Sequence, residues 1–157
     1  MLTLTVAGRV PSVLDGRRAE RIAREAGKTL RGRAVGKSAE AGVRFVSLKE
    51  MTRLNESYRK RPGPTDVLSF GAPSGQGRGS VRWHSGGAMP SDLGDVIVCA
   101  AYARQEAASR GVPYEEEIVR LIVHGILHLV GFDHERVKEE RTMFGIQEKI
   151  VSRVMER

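Results

Sequence analysis

The chain opens on an alternation, with Leu2, Leu4 and Val6 set against Thr3 and Thr5, and this period of two predicts a half-buried strand that Pro11 ends. From Leu14 the period changes. Leu14, Ile22, Ala26 and Leu30, with Ala19 and Ala23 between them, fall at helical spacing, and arginines crowd the opposite face. Residues 41–48 alternate again, with Val43, Phe45 and Ser47 on one side, and predict a second strand. Met51, Leu54 and Tyr58 predict a helix over residues 49–58 that Pro62, Gly63 and Pro64 break. Residues 67–70 read as a short third strand. Residues 71–93 are rich in Gly, Ser and Pro without a sustained period, and predict a long surface loop of the kind that is usually functional or disordered. A β-branched fourth strand is expected over 94–99, and an alanine-rich helix over 100–110 closed by Gly111. Pro113 and the acids Glu115, Glu116 and Glu117 open the next helix, with negative charge where the helix dipole favours it. It ends at Gly131. The last segment, 135–155, places Val137, Met143, Phe144, Ile146, Ile150, Val151 and Val154 as the apolar positions of a terminal amphipathic helix. No repeats are visible. The order βαβα, then ββ, then three helices predicts a single α+β domain over residues 1–157, with a small sheet packed against helices.

Composition narrows the class. A chain of 157 residues with 40% hydrophobic and 29% charged positions is globular, and at this size it can bury ~70% of the surface its unfolded form exposes. The only cysteine, Cys99, excludes a disulfide framework within the chain and is expected in the core. The opening has no basic stretch before an apolar run, so no signal peptide is expected. The longest apolar stretch, 118–130, is interrupted by Arg120 and two histidines and falls short of the ~18–20 residues of a membrane helix. These features predict a soluble cytosolic protein with no membrane partner. With 26 Lys and Arg against 19 Asp and Glu the formal charge is +7, which suits a polyanionic partner.

Three of the chain's four histidines stand within residues 124–134, in the run His-Gly-Ile-Leu-His-Leu-Val-Gly-Phe-Asp-His. His124 and His128 lie one helical turn apart, so both imidazoles leave one face and can share an ion. Gly131 ends the helix and lets the chain turn back, which brings His134 within reach of the same point. Three neutral imidazoles at tetrahedral angles suit zinc and leave a fourth position for water or substrate, as in a catalytic rather than a structural site. The affinity order also admits copper and nickel. A lone histidine on such a helix is more often a core residue; three at ligand spacing favour the metal. The run also fits the metalloprotease pattern H-E-x-x-H-x-x-G-x-x-H, except that Gly125 stands where the glutamate general base belongs, which disfavours peptide hydrolysis by that route. A glycine inside a helix costs ~1 kcal/mol relative to alanine, so Gly125 marks either tight packing against a neighbouring helix or room for a bulky substrate.

Together with Asn55, Tyr58 and Arg59, the segment Pro-Thr-Asp-Val-Leu-Ser-Phe at 64–70 and Leu-Gly-Asp-Val-Ile-Val at 93–98, the histidine run resembles the YbeY family of bacterial endoribonucleases and rRNA maturation factors. The resemblance covers roughly residues 42–156, with the motifs in the family's order. It implies an α+β fold with about four strands around a central helix, and one zinc ion (Zn2+) on His124, His128 and His134. It also implies cleavage of single-stranded RNA in 16S rRNA 3′ end maturation on the small ribosomal subunit and in ribosome quality control, with Arg59 as the family's functional arginine and His124 as its catalytic companion. Two departures stand out: Arg59-Lys60-Arg61-Pro62 is wholly basic where the family usually has an acid, and the loop after Phe70 is long and glycine-rich. A second reading from another class is a non-catalytic ribosome-associated assembly factor with a structural metal site.

Other residues are assigned by type. The Arg59 guanidinium can donate two parallel hydrogen bonds to phosphate oxygens. Asp133 either orients a ligand imidazole or shapes the turn. Thr65 and Asp66 are expected to end a loop and cap the following strand rather than to do chemistry. Arg17, Arg18, Arg21, Arg24, Lys28, Arg31 and Arg33, against Glu20 and Glu25, form the candidate RNA-binding face, with a solvated helix face as the alternative. Aromatics are 5% of residues, too few for an extended base-stacking platform. Trp83 either stacks on one base or anchors its loop, and His84 is not expected to ligate. Gly36-Lys37-Ser38 lacks the first glycine of a phosphate-binding loop, since Arg31 stands there, and the glycines of 75–79 open no helix.

Overall fold

A computed structural model of the chain describes residues 1–32, 38–72 and 91–156. Four strands form one sheet in the order β1-β2-β4-β3, with β1 (Leu2–Gly8), β2 (Ala39–Phe45) and β4 (Ser91–Val98) parallel and β3 (Val67–Gly71) antiparallel to β4. Helices α1 (Gly16–Thr29), α2 (Leu48–Leu54), α3 (Ala100–Arg110), α4 (Tyr114–Leu129) and α5 (Val137–Met155) complete the α+β fold. None of these helices is long and apolar enough to cross a membrane.

Local chemistry accounts for most boundaries. The Asp15 carboxylate accepts a hydrogen bond from the Arg18 N–H at 2.8 Å and starts α1. Ser47 does not extend β2, as its place in the alternation predicts. Its hydroxyl accepts from the Glu50 N–H and caps α2, so the strand ends at Phe45. The loop expected over 71–93 is shorter at both ends, because Gly71 pairs with Gly94 and the parallel ladder with β2 reaches back to Ser91. Residues 73–90, with Trp83, His84 and the glycines of 75–79, lie outside the described residues, as do Arg33, Gly36 and Lys37.

The sheet buries both faces around its middle. Val43, Phe45, Val96 and Val98 pack with Ile118, Val119, Ile122 and Ile126 of α4 and with Met143, Ile150 and Val154 of α5. Val46, Met51, Leu54, Leu68, Ile97 and Cys99 form a second, smaller cluster. Nine residues of α4 are buried, and each large aliphatic among them contributes about 1.5–3 kcal/mol relative to exposure. This central helix is therefore held as a fixed base. Burial pushes the Cys99 thiol up, away from the reactive thiolate, which agrees with a core role.

Candidate metal and phosphate site

The last two turns of α4 carry His124 and His128 on one face, half-buried, while Gly125 between them faces the sheet. A Cβ at Gly125 would lie 2.4 Å from the Val96 Cγ1, so the glycine permits close packing of α4 on β4. Of the two expected causes the structure gives packing, against a strand rather than a helix. No glutamate fits there. The base of a peptidase built on this pattern is thus excluded by the approach of helix to sheet.

Past Leu129 the chain reverses in a helix-ending motif with two characteristic bonds. The Gly131 N–H donates to the His128 carbonyl and the Phe132 N–H to the Leu127 carbonyl, both at 3.0 Å, with Gly131 at a φ of +95°. This turn returns His134 to the other two histidines, so that one ligand atom from each lies within 4.8 Å of the others. It also aims the Phe132 carbonyl at His128, whose Nδ1 lies 3.0 Å from it.

The protonation of the two helical imidazoles follows from their partners. Glu148 in α5 pairs with Arg120, and its carboxylate can only accept, so the Gln147 amide turns its Nε2 toward Glu148 at 3.1 Å. Its Oε1 then faces the His124 Nδ1 at 2.9 Å and accepts a hydrogen bond from its N–H. Nδ1 of His128 likewise donates to the Phe132 carbonyl. Both Nε2 atoms are left with lone pairs, and these face each other at 3.1 Å. Two lone pairs at that distance repel unless a cation lies between them. Imidazoles bound tetrahedrally to one zinc would hold their nitrogens about 3.3 Å apart, so the donor set fits a metal ion. Burial, before any other cause, pushes both imidazoles below their ordinary pKa and keeps them in the neutral form that ligates. Phe144, exposed at 37%, walls the centre with its ring 6.3 Å from those of His124 and His134.

Arg59 reaches the same place from another element. After Leu54 the helix widens into a single π turn, Asn55–Arg59, a feature frequent at functional sites. Buried Asn55 donates through Nδ2 to the Gly63 carbonyl at 2.9 Å, and Tyr58 packs edge-on against Phe70 at 5.1 Å. These contacts hold the turn and the loop after it, and Arg59 projects into a cleft of about 180 Å³ that it shares with Thr65, Asp66, Val67, Ser69 and the three histidines. Arg59 has no ion-pair partner among the described residues. A larger cavity of about 1060 Å³ lies between β1 and α1, but its walls contain neither histidine nor cysteine.

Two residues are placed differently from a ligand-orienting role or were not foreseen. Asp133 is exposed, and its Oδ1 accepts from the His134 N–H at 2.7 Å, so this carboxylate oxygen shapes the turn. Gln147 orients His124 instead. Its signal in the sequence was a polar residue inside the stripe Met143, Gln147, Ile150 and Val154, where the helical period calls for an apolar one.

Of the basic helix, Arg18 bonds the Val13 carbonyl and Glu115, Arg21 bonds the Arg153 carbonyl, and Arg24 and Lys28 share Glu25. Only Arg17 of the five that α1 carries is without a partner among the described residues.

The profile of the family described as Endoribonuclease YbeY matches residues 11–155. The chain is 41% identical over 119 residues to Endoribonuclease YbeY of Saccharopolyspora erythraea, an alignment covering 76% of this chain and 64% of that one. It is 45% identical over 114 residues to Endoribonuclease YbeY of Beutenbergia cavernae, covering 72% and 73%. A solution structure of a Thermotoga maritima protein superposes with a TM-score of 0.61 at 25% identity, over 98% of this chain and 89% of that one. A profile match over nearly the whole chain, with relatives more than 40% identical over most of it, has a plain reading: this chain belongs to the Endoribonuclease YbeY family.

Proposed function

We propose that this chain is a zinc-dependent endoribonuclease that cleaves single-stranded RNA in the cytoplasm, acting on the small ribosomal subunit in 16S rRNA 3′ end maturation and in ribosome quality control. The observation that carries the metal-dependent reading is the pair of imidazole lone pairs facing each other at 3.1 Å, with His134 beside them. His124, His128 and His134 would hold the ion; when bound it supplies a Lewis acid for a phosphate oxygen and an acidified water. Arg59 binds the scissile phosphate with two parallel hydrogen bonds, on the open side of the same cleft. Its charge also offsets the negative charge that grows as phosphorus becomes pentacoordinate. The Gln147 amide and the Phe132 carbonyl hold their imidazoles through the reaction, so neither ring turns when the phosphate arrives.

The test is cleavage of a labelled single-stranded RNA by the purified chain, metal-loaded and metal-stripped, beside His128→Ala prepared identically. Cleavage should require metal and fall at least about 1000-fold in the variant, about 4 kcal/mol of transition-state stabilisation. Absence of cleavage by the metal-loaded protein would transfer the reading to a ribosome-associated factor whose metal is structural.

A further inference from the structure

One wall of the cleft is built from Thr65, Asp66 and the start of β3. The Asp66 Oδ1 accepts from the Val67 N–H at 2.8 Å and from the Thr65 hydroxyl at 3.3 Å. Its Oδ2 has no hydrogen-bond partner among the described residues, although Asp66 lines the cleft. The Ser69 hydroxyl donates to the Gly125 carbonyl at 3.4 Å. The Thr65 and Ser69 hydroxyls have therefore committed their protons to the protein, and the Asp66 Oδ2 is the carboxylate acceptor that this wall offers a ligand.

A phosphodiester only accepts hydrogen bonds, so it belongs with Arg59 and is repelled by Asp66. A strand that meets the Asp66 carboxylate must turn a donor toward it. On the backbone of RNA the only donor is the ribose 2′-hydroxyl, and DNA has none. We propose that the Asp66 carboxylate receives the 2′-hydroxyl of the nucleotide whose phosphate Arg59 holds, and that Asp66 is the residue by which this cleft distinguishes RNA from DNA. The capping bond to Val67 fixes the carboxylate while leaving Oδ2 for the ribose. The assignment builds on the RNA-cleaving reading of the cleft.

The test compares binding of one RNA and of the DNA of the same sequence, in the full chain carrying His128→Ala so that neither strand is cut. With Asp66 present the RNA should bind about 10-fold more tightly, the value of one hydrogen bond to a charged acceptor. Asp66→Ala should bring the ratio close to one, by weakening RNA and leaving DNA unchanged or slightly tighter. Asp66→Asn keeps the capping bond to Val67 through its amide oxygen and turns Nδ2, a donor, toward the ribose, so the RNA preference should fall although the cap is kept. A single 2′-deoxy substitution at the cleaved linkage should weaken binding with Asp66 and have no effect with Asp66→Ala. An unchanged RNA-to-DNA ratio in Asp66→Ala overturns the assignment. So does a parallel loss for both strands, which is what a merely structural cap would give. Because the readout is binding, a metal-loaded wild-type protein that fails to cleave overturns the enzymatic reading separately.

Discussion

At the N-terminal end of α4 every acid has a cation: Glu115 meets Arg18 at 3.0 Å, buried Glu117 pairs with Arg110 and Arg120, and Glu116 pairs with Arg120. Glu148 holds the Arg120 guanidinium even more firmly protonated than usual, and Arg120 in turn holds Glu148 below the ordinary carboxylate range. At the other end of the same helix, about 15 Å away by its rise per residue, two imidazole lone pairs face each other, and among the described residues Arg59 has no acid and the Asp66 Oδ2 no donor. One end is closed and the other is left open. The lesson concerns where function is sought in a charged chain. Charges that satisfy one another stabilise and do little else, whereas groups left without partners in a cleft are available to a ligand.

The comparison breaks most sharply at Arg59. Arg59→Glu should lower cleavage by about 10²- to 10³-fold while metal content, measured by elemental analysis, stays unchanged. A variant that still cleaves would return Arg59 to the solvated surface.

A smaller effect is expected where the two ends are joined. Gln147 links the ion pairs of Glu148 and Arg120 to His124, so Gln147→Leu leaves the His124 ring free to turn and removes the hydrogen-bond acceptor of its Nδ1–H. Metal affinity, read by chelator competition, should fall about 10- to 100-fold, with the melting temperature of the metal-free protein little changed. Gln147→Glu still accepts from Nδ1 but sets a carboxylate oxygen against the Glu148 carboxylate, so it should recover only part of the affinity.

The smallest effect belongs to the basic helix. Its cations other than Arg17 already bond carbonyls or carboxylates, so Arg17→Ala should reduce the salt dependence of RNA binding by one single-strand phosphate, about 0.7 in the log–log slope. If instead four phosphates are tracked along α1, binding by the unaltered chain should weaken about 50-fold between 50 and 200 mM salt. A flat response would show that the strand does not follow this helix.

Much of this was legible before any coordinates. Period-two and helical spacing located the elements, because a half-buried strand and an amphipathic helix must expose one face to water. Local chemistry also located the three histidines, since ligands one turn apart and a glycine that reverses the chain are short-range features. The sequence alone therefore determined the element order, the three histidines that could hold a metal, and the family. What it left open depended on groups far apart along the chain. Whether Gly125 made room for substrate or for packing was decided by Val96, and whether an acid oriented a ligand was decided by Gln147, since Asp133 bonds the turn instead. The seven positive charges between Arg17 and Arg33 looked like a binding face in a linear reading. Glu115 and the Arg153 carbonyl, brought beside them by packing, turn two of those charges inward. Spacing reports which side chains share a face, but the tertiary structure sets which atoms find partners, because a hydrogen bond depends on contacts at about 3 Å between segments that no local period relates.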